Sequence, residues 1–169
     1  MTWLPQFLTF PMRDRIRSRV KLSQKGRYGM RALFDIAFHN DGRPTQIREI
    51  AERELIPMRF LEQIFQDLKR AGLIGSKRGP RGGYHLARPA AEISLGDVLR
   101  ALEGQVAVML AEDDERSRRG GPDATGAVLR DLGGSVERCF DAVTIADVCK
   151  RGTALGIRPV ARERSSYAI

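Results

Sequence analysis

A glycine-rich segment with many basic side chains, SKRGPRGGYHLARP, runs from Ser76 to Pro89 and contains no acid. The wider stretch from Lys69 to Arg88 carries six Lys or Arg residues and again no Asp or Glu. So much charge disfavours a place in a hydrophobic core, and the glycines let the backbone approach a ligand closely. Arginine and lysine on such a loop suit the phosphates of a nucleic acid. We therefore predict that this segment lies on DNA, with Arg78 or Arg81 entering a minor groove.

A second basic cluster precedes this segment in the chain. Between Arg13 and Arg31 there are eight Lys or Arg residues and one acid, Asp14. The whole chain of 169 residues has a formal charge of +8, and 42% of its residues are hydrophobic, which is typical of a globular protein. Clusters of one sign indicate a polyanionic partner better than net charge does. A surface that is charged only for solubility is the common alternative.

The outward face of a predicted helix after Pro57 is the third candidate for chemistry. Apolar residues at helical spacing place one stripe inward: Leu61, Ile64, Phe65 and Leu68. The opposite face carries residues of the types that hydrogen-bond base edges in a major groove, because arginine pairs with guanine, glutamine with adenine and glutamate with cytosine. These are Met58, Arg59, Glu62, Gln63 and Gln66. For Glu62 the alternative is an ion pair with Arg59, one turn away.

Three helices and a hairpin are predicted to position these side chains. The first helix has an apolar stripe at Met30, Leu33, Phe34, Ala37 and Phe38. The second begins near Thr45, directs Ile47, Ile50 and Ala51 inward, and ends near Glu54. Short strands at residues 73–74 and 84–86 flank the glycine-rich turn. This order predicts a mainly α protein with a winged helix-turn-helix domain over residues 20–104 and a two-stranded wing.

The rest of the chain is predicted to add helices on the C-terminal side. Ser94 and Thr144 are expected N-caps, each with an aspartate three residues on, and Gly104 ends the first of these helices. Residues 105–124 are predicted as a loop. Residues 125–150 are predicted to form a long helix and a short final one, and residues 151–169 a flexible tail. Residues 1–19 show no helical period and are interpreted as a disordered extension or a start-site artefact.

The cysteines and histidines do not form a catalytic or metal-binding pattern. Cys139 and Cys149 fall on different predicted helices, and we interpret them as free thiols that act as small hydrophobes, with a redox pair or an intersubunit bridge as the alternative. His39 and His85 lack metal-ligand spacing, and no nucleophile stands beside a base. The sequence therefore predicts a protein that is not an enzyme and holds no metal. Two cysteines without a secretory signal favour the cytoplasm.

Three stretches resemble the Rrf-two (Rrf2) family of winged-helix transcription regulators, the family of IscR, NsrR and CymR. They are KLSQKGRYGMRALFDIA, IREIAERELIPMRFLEQIFQDLKRAGLI and SKRGPRGGYHLARPAAEISLGDVLRALEG. The later LRDLGGSVERCFDAVTIADV is similar to the family's dimerisation helix. The resemblance implies a homodimer, usually a repressor, that binds a pseudo-palindromic operator in double-stranded DNA. The dimer contacts implied on the long helix are Leu129, Leu132, Val136 and Phe140.

The resemblance also implies particular DNA contacts. Arg59 and Glu62 would read bases from the third helix, Arg78 would enter the minor groove, and the start of the first helix would sit on phosphates. Together with the residues argued above, the predicted DNA-binding set is Lys25, Arg27, Tyr28, Arg59, Glu62, Gln63, Arg78, Arg81, Gly82 and Tyr84.

Members of this family differ in the group with which they sense a signal. Members that bind an iron–sulfur cluster carry three cysteines in the loop after the EG sequence, whereas the loop here, QVAVMLAEDDERSRRGGPDATG, has no cysteine and no histidine. A cluster held by thiolates is therefore not expected. Two alternatives stay open. One is a regulator that works through a protein partner such as a cysteine-biosynthesis enzyme, and the other is a thiol-redox regulator that uses Cys139 and Cys149.

Overall fold

The computed structural model describes residues 22–39, 42–104 and 124–160. Within these residues six α-helices accompany one two-stranded antiparallel sheet. The elements follow one another along the chain as α1 (Gln24–Phe38), α2 (Ile47–Glu54), α3 (Met58–Arg70), β1 (Ile74–Lys77), β2 (Gly83–Leu86), a 3₁₀ helix (Ala90–Glu92), α4 (Leu95–Glu103), α5 (Ala124–Asp141) and α6 (Ile145–Ala154). The predicted fold class is confirmed. The predictions for residues 1–19 and for residues 105–123 of the predicted loop lie outside the described residues, and Ala124 already belongs to α5.

Helices α2 and α3 form a helix-turn-helix unit with a tight turn. Leu55 closes α2 in the left-handed region at φ 50°, and Pro57 then caps α3. All four residues of the predicted apolar stripe of α3 are buried, from Leu61 to Leu68. Their burial fixes the rotation of α3, and the opposite face is therefore left to solvent.

The buried face of α1 differs from the predicted stripe. Its buried residues are Gly26, Gly29, Ala32, Leu33, Asp35 and Ile36, so of the predicted set only Leu33 is fully buried. The reason is that α1 is covered on several sides, and two glycines rather than large side chains face α4. A Cβ at Gly29 would lie 2.2 Å from Cδ1 of Leu102, which only a glycine avoids. The prediction for α1 was therefore right in extent, whereas the most buried face lies to one side of the predicted stripe, whose Met30 and Ala37 are only partly buried against the core.

A buried ion pair joins α1 to α2. The guanidinium of Arg53 donates two hydrogen bonds to the carboxylate of Asp35, from Nε and Nη2, both at 2.8 Å. The Asp35 side chain is fully buried. Its hydrogen bond raises the pKa of Arg53. This bidentate pair keeps α2 in position against the core.

The wing hairpin is attached to the helix-turn-helix unit at two places. Ile74 pairs with Leu86 at its base and Lys77 with Gly83 near its tip. On one side the ring of Tyr84 packs edge-on against Phe65 of α3, with ring centroids 4.5 Å apart. The backbone of Tyr84 also exchanges two hydrogen bonds of 2.8 Å with Thr45 before α2. The wing is therefore fixed relative to both α2 and α3.

Both predicted N-caps on the C-terminal side are confirmed. Ser94 with Asp97, and Thr144 with Asp147, form reciprocal capping boxes at the starts of α4 and α6. Arg100 of α4 bonds the carboxylate of Asp141 at 2.7 Å and lowers the pKa of that aspartate, which ties the end of α5 to the domain.

The predicted flexible tail begins too early, because α6 continues beyond Arg151 to Ala154. Gly152 of α6 is buried, and a Cβ there would lie 3.0 Å from the ring of Phe34 on α1, so this last turn of the helix packs closely on α1. The backbone N–H of Val160 then donates to Nδ1 of His39 at 2.9 Å. Across the described ranges, no helix combines the length and the apolar character that crossing a membrane requires.

Candidate nucleic-acid interface

The outward face of α3 is open to solvent over its whole length. Arg59, Glu62, Gln63 and Gln66 are all exposed, as the stripe predicted. Two apolar side chains lie among them, Met58 at 38% and Phe60 at 44% exposure. Among the described residues Glu62 forms no ion pair with Arg59, so the structure does not support that alternative. Both side chains are free to contact a ligand.

The start of α1 is only partly available. Nζ of Lys25 lies 2.6 Å from Oδ2 of Asp67 on α3, and this bond lowers the pKa of Asp67. The Tyr28 hydroxyl accepts a hydrogen bond from Gln24 at 2.7 Å, and its ring meets Phe60 edge-on. Arg27 is exposed. Of the three predicted contacts at this end, Arg27 is therefore the one best placed to meet a phosphate.

The tip of the wing carries exposed basic side chains, and its tight turn needs glycine at one position. Lys77, Arg78 and Arg81 are exposed. Gly82 is buried, its N–H donates to the carbonyl of Gly79 at 2.8 Å, and a Cβ there would lie 2.2 Å from the carbonyl oxygen of Lys77. Gly82 thus shapes the turn that displays the arginines.

An open groove lies between α2, α3 and the wing, beside the exposed face of α3. Its polar residues Gln46, Arg48 and Lys77 were not predicted from the sequence as part of the site. It is lined by Gln46, Arg48, Met58 and Lys77 with the wing glycines. Gln46 and Arg48 stand at the N-terminus of α2, where the helix dipole favours an anion. The signal was present, because the apolar stripe of α2 leaves Arg48 on the outer side. The bond between Thr45 and Tyr84, which brings this helix end beside the wing, had no sequence signal.

Helix α5 exposes one of the four apolar side chains predicted for a dimer interface and leaves the other three half-buried. Leu132 is 54% exposed and the adjacent Val128 is 58% exposed, while Leu129, Val136 and Phe140 are half-buried. Gly133 is the one buried residue of this helix. An apolar stripe left uncovered in a single chain is typical of an interface between proteins.

The thiols and imidazoles do not come together in the part of the chain that the structure describes. Cys139 is exposed on α5, and Cys149 is half-buried on α6, where burial raises the pKa of its thiol. Nδ1 of His39 is already occupied by Val160. Within those residues no three His, Cys, Asp or Glu side chains form a group able to hold a metal. An iron–sulfur cluster is ordinarily held by four thiolates, and the entire sequence has two cysteines, so one chain alone lacks that donor set.

Comparison with known proteins gives one consistent result. Residues 22–151 match the Rrf2 family model, described as "Iron-dependent Transcriptional regulator". The HTH-type transcriptional regulator IscR of Vibrio atlanticus is 33% identical over 138 residues, which cover 82% of this chain and 80% of the relative. IscR of Serratia proteamaculans is 34% identical over 129 residues, covering 76% and 79%.

Solved structures agree with the sequence relatives. The structure of T. potens IscR is similar with a TM-score of 0.65 and 37% identity, covering 79% of this chain and 88% of that one. CymR, the global cysteine regulator of B. subtilis, has a TM-score of 0.64 and 31% identity, covering 79% of this chain and 98% of its own.

Proposed function

The chain belongs to the Rrf2 family of DNA-binding transcriptional regulators, and from this premise we propose that it binds a pseudo-palindromic operator as a homodimer, through α3 and the wing. The observation that carries the proposal is the exposed polar face of α3 beside a basic wing that is held in place by Thr45 and Phe65. A helix that enters the major groove needs such a fixed neighbour to set its angle.

We assign the contacts as follows. Arg59, Glu62 and Gln63 read base edges, with Met58 against a thymine methyl group. Arg27, Arg48 and Lys77 contact phosphates, while Arg78 or Arg81 enters the minor groove. Lys25 contacts a phosphate once it releases its ion pair with Asp67. Gly82 and Tyr84 support the wing rather than touch bases, because one shapes its turn and the other packs on Phe65.

Truncation of either charged reader on α3 should both weaken and relax recognition. We expect Arg59→Ala or Glu62→Ala to cost about 1–3 kcal/mol on the matched operator and to remove preference at one base position in each half-site. Fluorescence anisotropy on operators varied at single positions measures both effects. Arg151→Ala, on exposed α6, is the matched control. A Glu62→Ala protein that binds every sequence more tightly and equally would show that this acid is only a surface charge.

We propose that α5 supplies the dimer interface through the apolar stripe that a single chain leaves uncovered. Leu132→Asp places a charge in that seam, and an unpaired charge buried between apolar side chains is strongly unfavourable. The expected result is a shift from dimer to monomer in sedimentation, by at least about a hundredfold in the dimer dissociation constant. Leu155→Asp, at an exposed leucine after α6, should leave the dimer intact. A Leu132→Asp protein that stays dimeric would place the interface elsewhere.

We further propose that the protein acts without an iron–sulfur cluster, as a cytoplasmic repressor that blocks a promoter by occupying it. The donor set supports this, since Cys149 packs against the core and Cys139 lies on another helix. Protein purified without air should be colourless and should bind DNA equally well after treatment with a chelator. A brown preparation with stoichiometric iron and sulfide, lost in the Cys139→Ser Cys149→Ser protein, would contradict the proposal. The exposure of Cys139 is the one observation that favours the alternative of a thiol-redox regulator.

A further inference from the structure

A second groove, of about 540 Å³, lies between the C-terminal part of α1 and the wing hairpin. Its size falls in the range of small-molecule sites. Apolar side chains form much of its lining, among them Ile36, Ala37, Pro44 and Leu86. Ile36 is 2% exposed and belongs to the core, so this part of the lining is fixed. The groove therefore offers a preformed apolar surface to a small molecule.

Among the described residues that line this groove, the charged or titratable side chains all carry nitrogen donors. These are Lys77, His85 and Arg88, and no carboxylate of the described part of the chain lines the groove with them. Gly75 is the cross-strand partner of His85, and Lys77 is two residues further along the same strand. Because strand residues alternate between faces, Lys77 and His85 lie on one face of the hairpin, and Tyr84 lies on the other. The fold thus directs two of the three donors to the same side.

Nδ1 of His85 is buried and has no hydrogen-bond partner within the described residues. A buried nitrogen of this kind is costly to leave unpaired. The ring lies close over Gly75, where a Cβ would stand 2.5 Å from Nε2, so the glycine makes room for the imidazole. Arg88 approaches Asp97 only to 3.6 Å and keeps most of its donors for another acceptor. The site has unused donors and an apolar wall.

We propose that this groove binds a small carboxylate with an apolar body, and that the bound molecule weakens DNA binding. The carboxylate accepts from Lys77 and Arg88, and from Nδ1 of His85 once the imidazole ring turns this nitrogen toward the groove, while the apolar body packs on Leu86 and Pro44. Lys77 also lines the groove between α2, α3 and the wing, on the surface assigned to DNA. A ligand that engages Lys77 removes it from the phosphates. This second half of the proposal rests on the proposed function, whereas the binding site itself does not.

The test uses the full-length protein with para-fluorobenzoate as the probe and fluorine NMR as the readout. The neutral para-fluorobenzamide is the matched control ligand, because it keeps the shape and loses the charge. We expect saturable binding of the benzoate and binding of the benzamide about tenfold weaker, the effect of losing one charge-assisted hydrogen bond. Arg88→Gln and His85→Leu should each weaken the benzoate to a similar degree. Arg151→Gln, outside the groove, should not. Thermal melts confirm that each variant is folded.

Anisotropy with operator DNA tests the coupling. Benzoate should weaken DNA binding of the wild-type protein by several-fold and leave the Arg88→Gln protein unaffected. The site is overturned if benzoate does not saturate, if the benzamide binds equally well, or if the groove substitutions change nothing. Benzoate binding that leaves DNA affinity constant would overturn the coupling alone. Failure of the wild-type protein to bind DNA would instead count against the proposed function, since the NMR result does not depend on it.

Discussion

Raising the salt concentration from about 50 to about 200 mM is expected to weaken operator binding by on the order of a thousandfold. The reason is that a dimer which places Arg27, Arg48 and Lys77 of each protomer on phosphates displaces condensed counterions from the DNA. With roughly 6–10 such contacts, the logarithm of the affinity falls steeply and linearly with the logarithm of the salt concentration. Fluorescence anisotropy at several salt concentrations gives the slope.

A single substitution checks which residues produce that slope. Arg48→Gln removes a proposed phosphate contact from each protomer and should make the slope shallower by about two for the dimer, at every DNA sequence alike. Arg151→Gln on α6 removes the same charge and should leave it unchanged. If the wild-type slope of log affinity against log salt concentration corresponds to only one or two phosphate contacts, the basic surface stays in solvent and does not contact the DNA backbone.

Asp35→Ala is expected to lower the free energy of unfolding by about 3 kcal/mol, because it removes both short hydrogen bonds of the Arg53 guanidinium and leaves it only the longer contact of 3.8 Å with Glu49. Asp35 is fully buried and Arg53 is 22% exposed, so solvent relieves the stranded charge only in part. Chemical denaturation measures the loss. Arg31→Ala breaks the more exposed pair with Glu54 and should cost less than about 1 kcal/mol.

The double variant Asp35→Ala Arg53→Leu separates burial of the charge from loss of packing. Replacing both partners with apolar groups removes the stranded charge and should recover much of the stability. A loss below about 1 kcal/mol for Asp35→Ala alone would mean that Arg53 reaches water freely in the variant, contrary to the arrangement described.

The sequence predicted best where one physical rule acted alone. The stripe of α3 was correct because a single side of that helix faces the core, and it identified the exposed side chains of the opposite face at the same time. The caps at Ser94 and Thr144 were correct because a capping box is a local interaction of four residues. Neither depends on distant parts of the chain.

Where distant elements meet, sequence patterns were insufficient. Helix α1 packs on several neighbours, and Gly26 and Gly29 face α4 through the absence of a side chain, which no apolar stripe signals. Asp35 has the polarity of a surface residue, and its burial follows from Arg53, 18 residues away. The place of Arg48 beside the wing depends on the backbone hydrogen bonds between Thr45 and Tyr84. The ring of Tyr84 packs on Phe65, and the contact predicted between Tyr84 and DNA stays a prediction.

The central claim is sequence-specific DNA binding through α3, and a gel shift with the DNA upstream of the protein's own gene tests it most directly. A shuffled duplex of the same length and composition is the competitor, and the Glu62→Ala protein is run beside the wild type. We predict that the wild type prefers the upstream DNA by roughly a thousandfold or more at moderate salt, and that the Glu62→Ala protein loses part of this preference. Equal affinity of the wild-type protein for the upstream and shuffled duplexes would contradict the account.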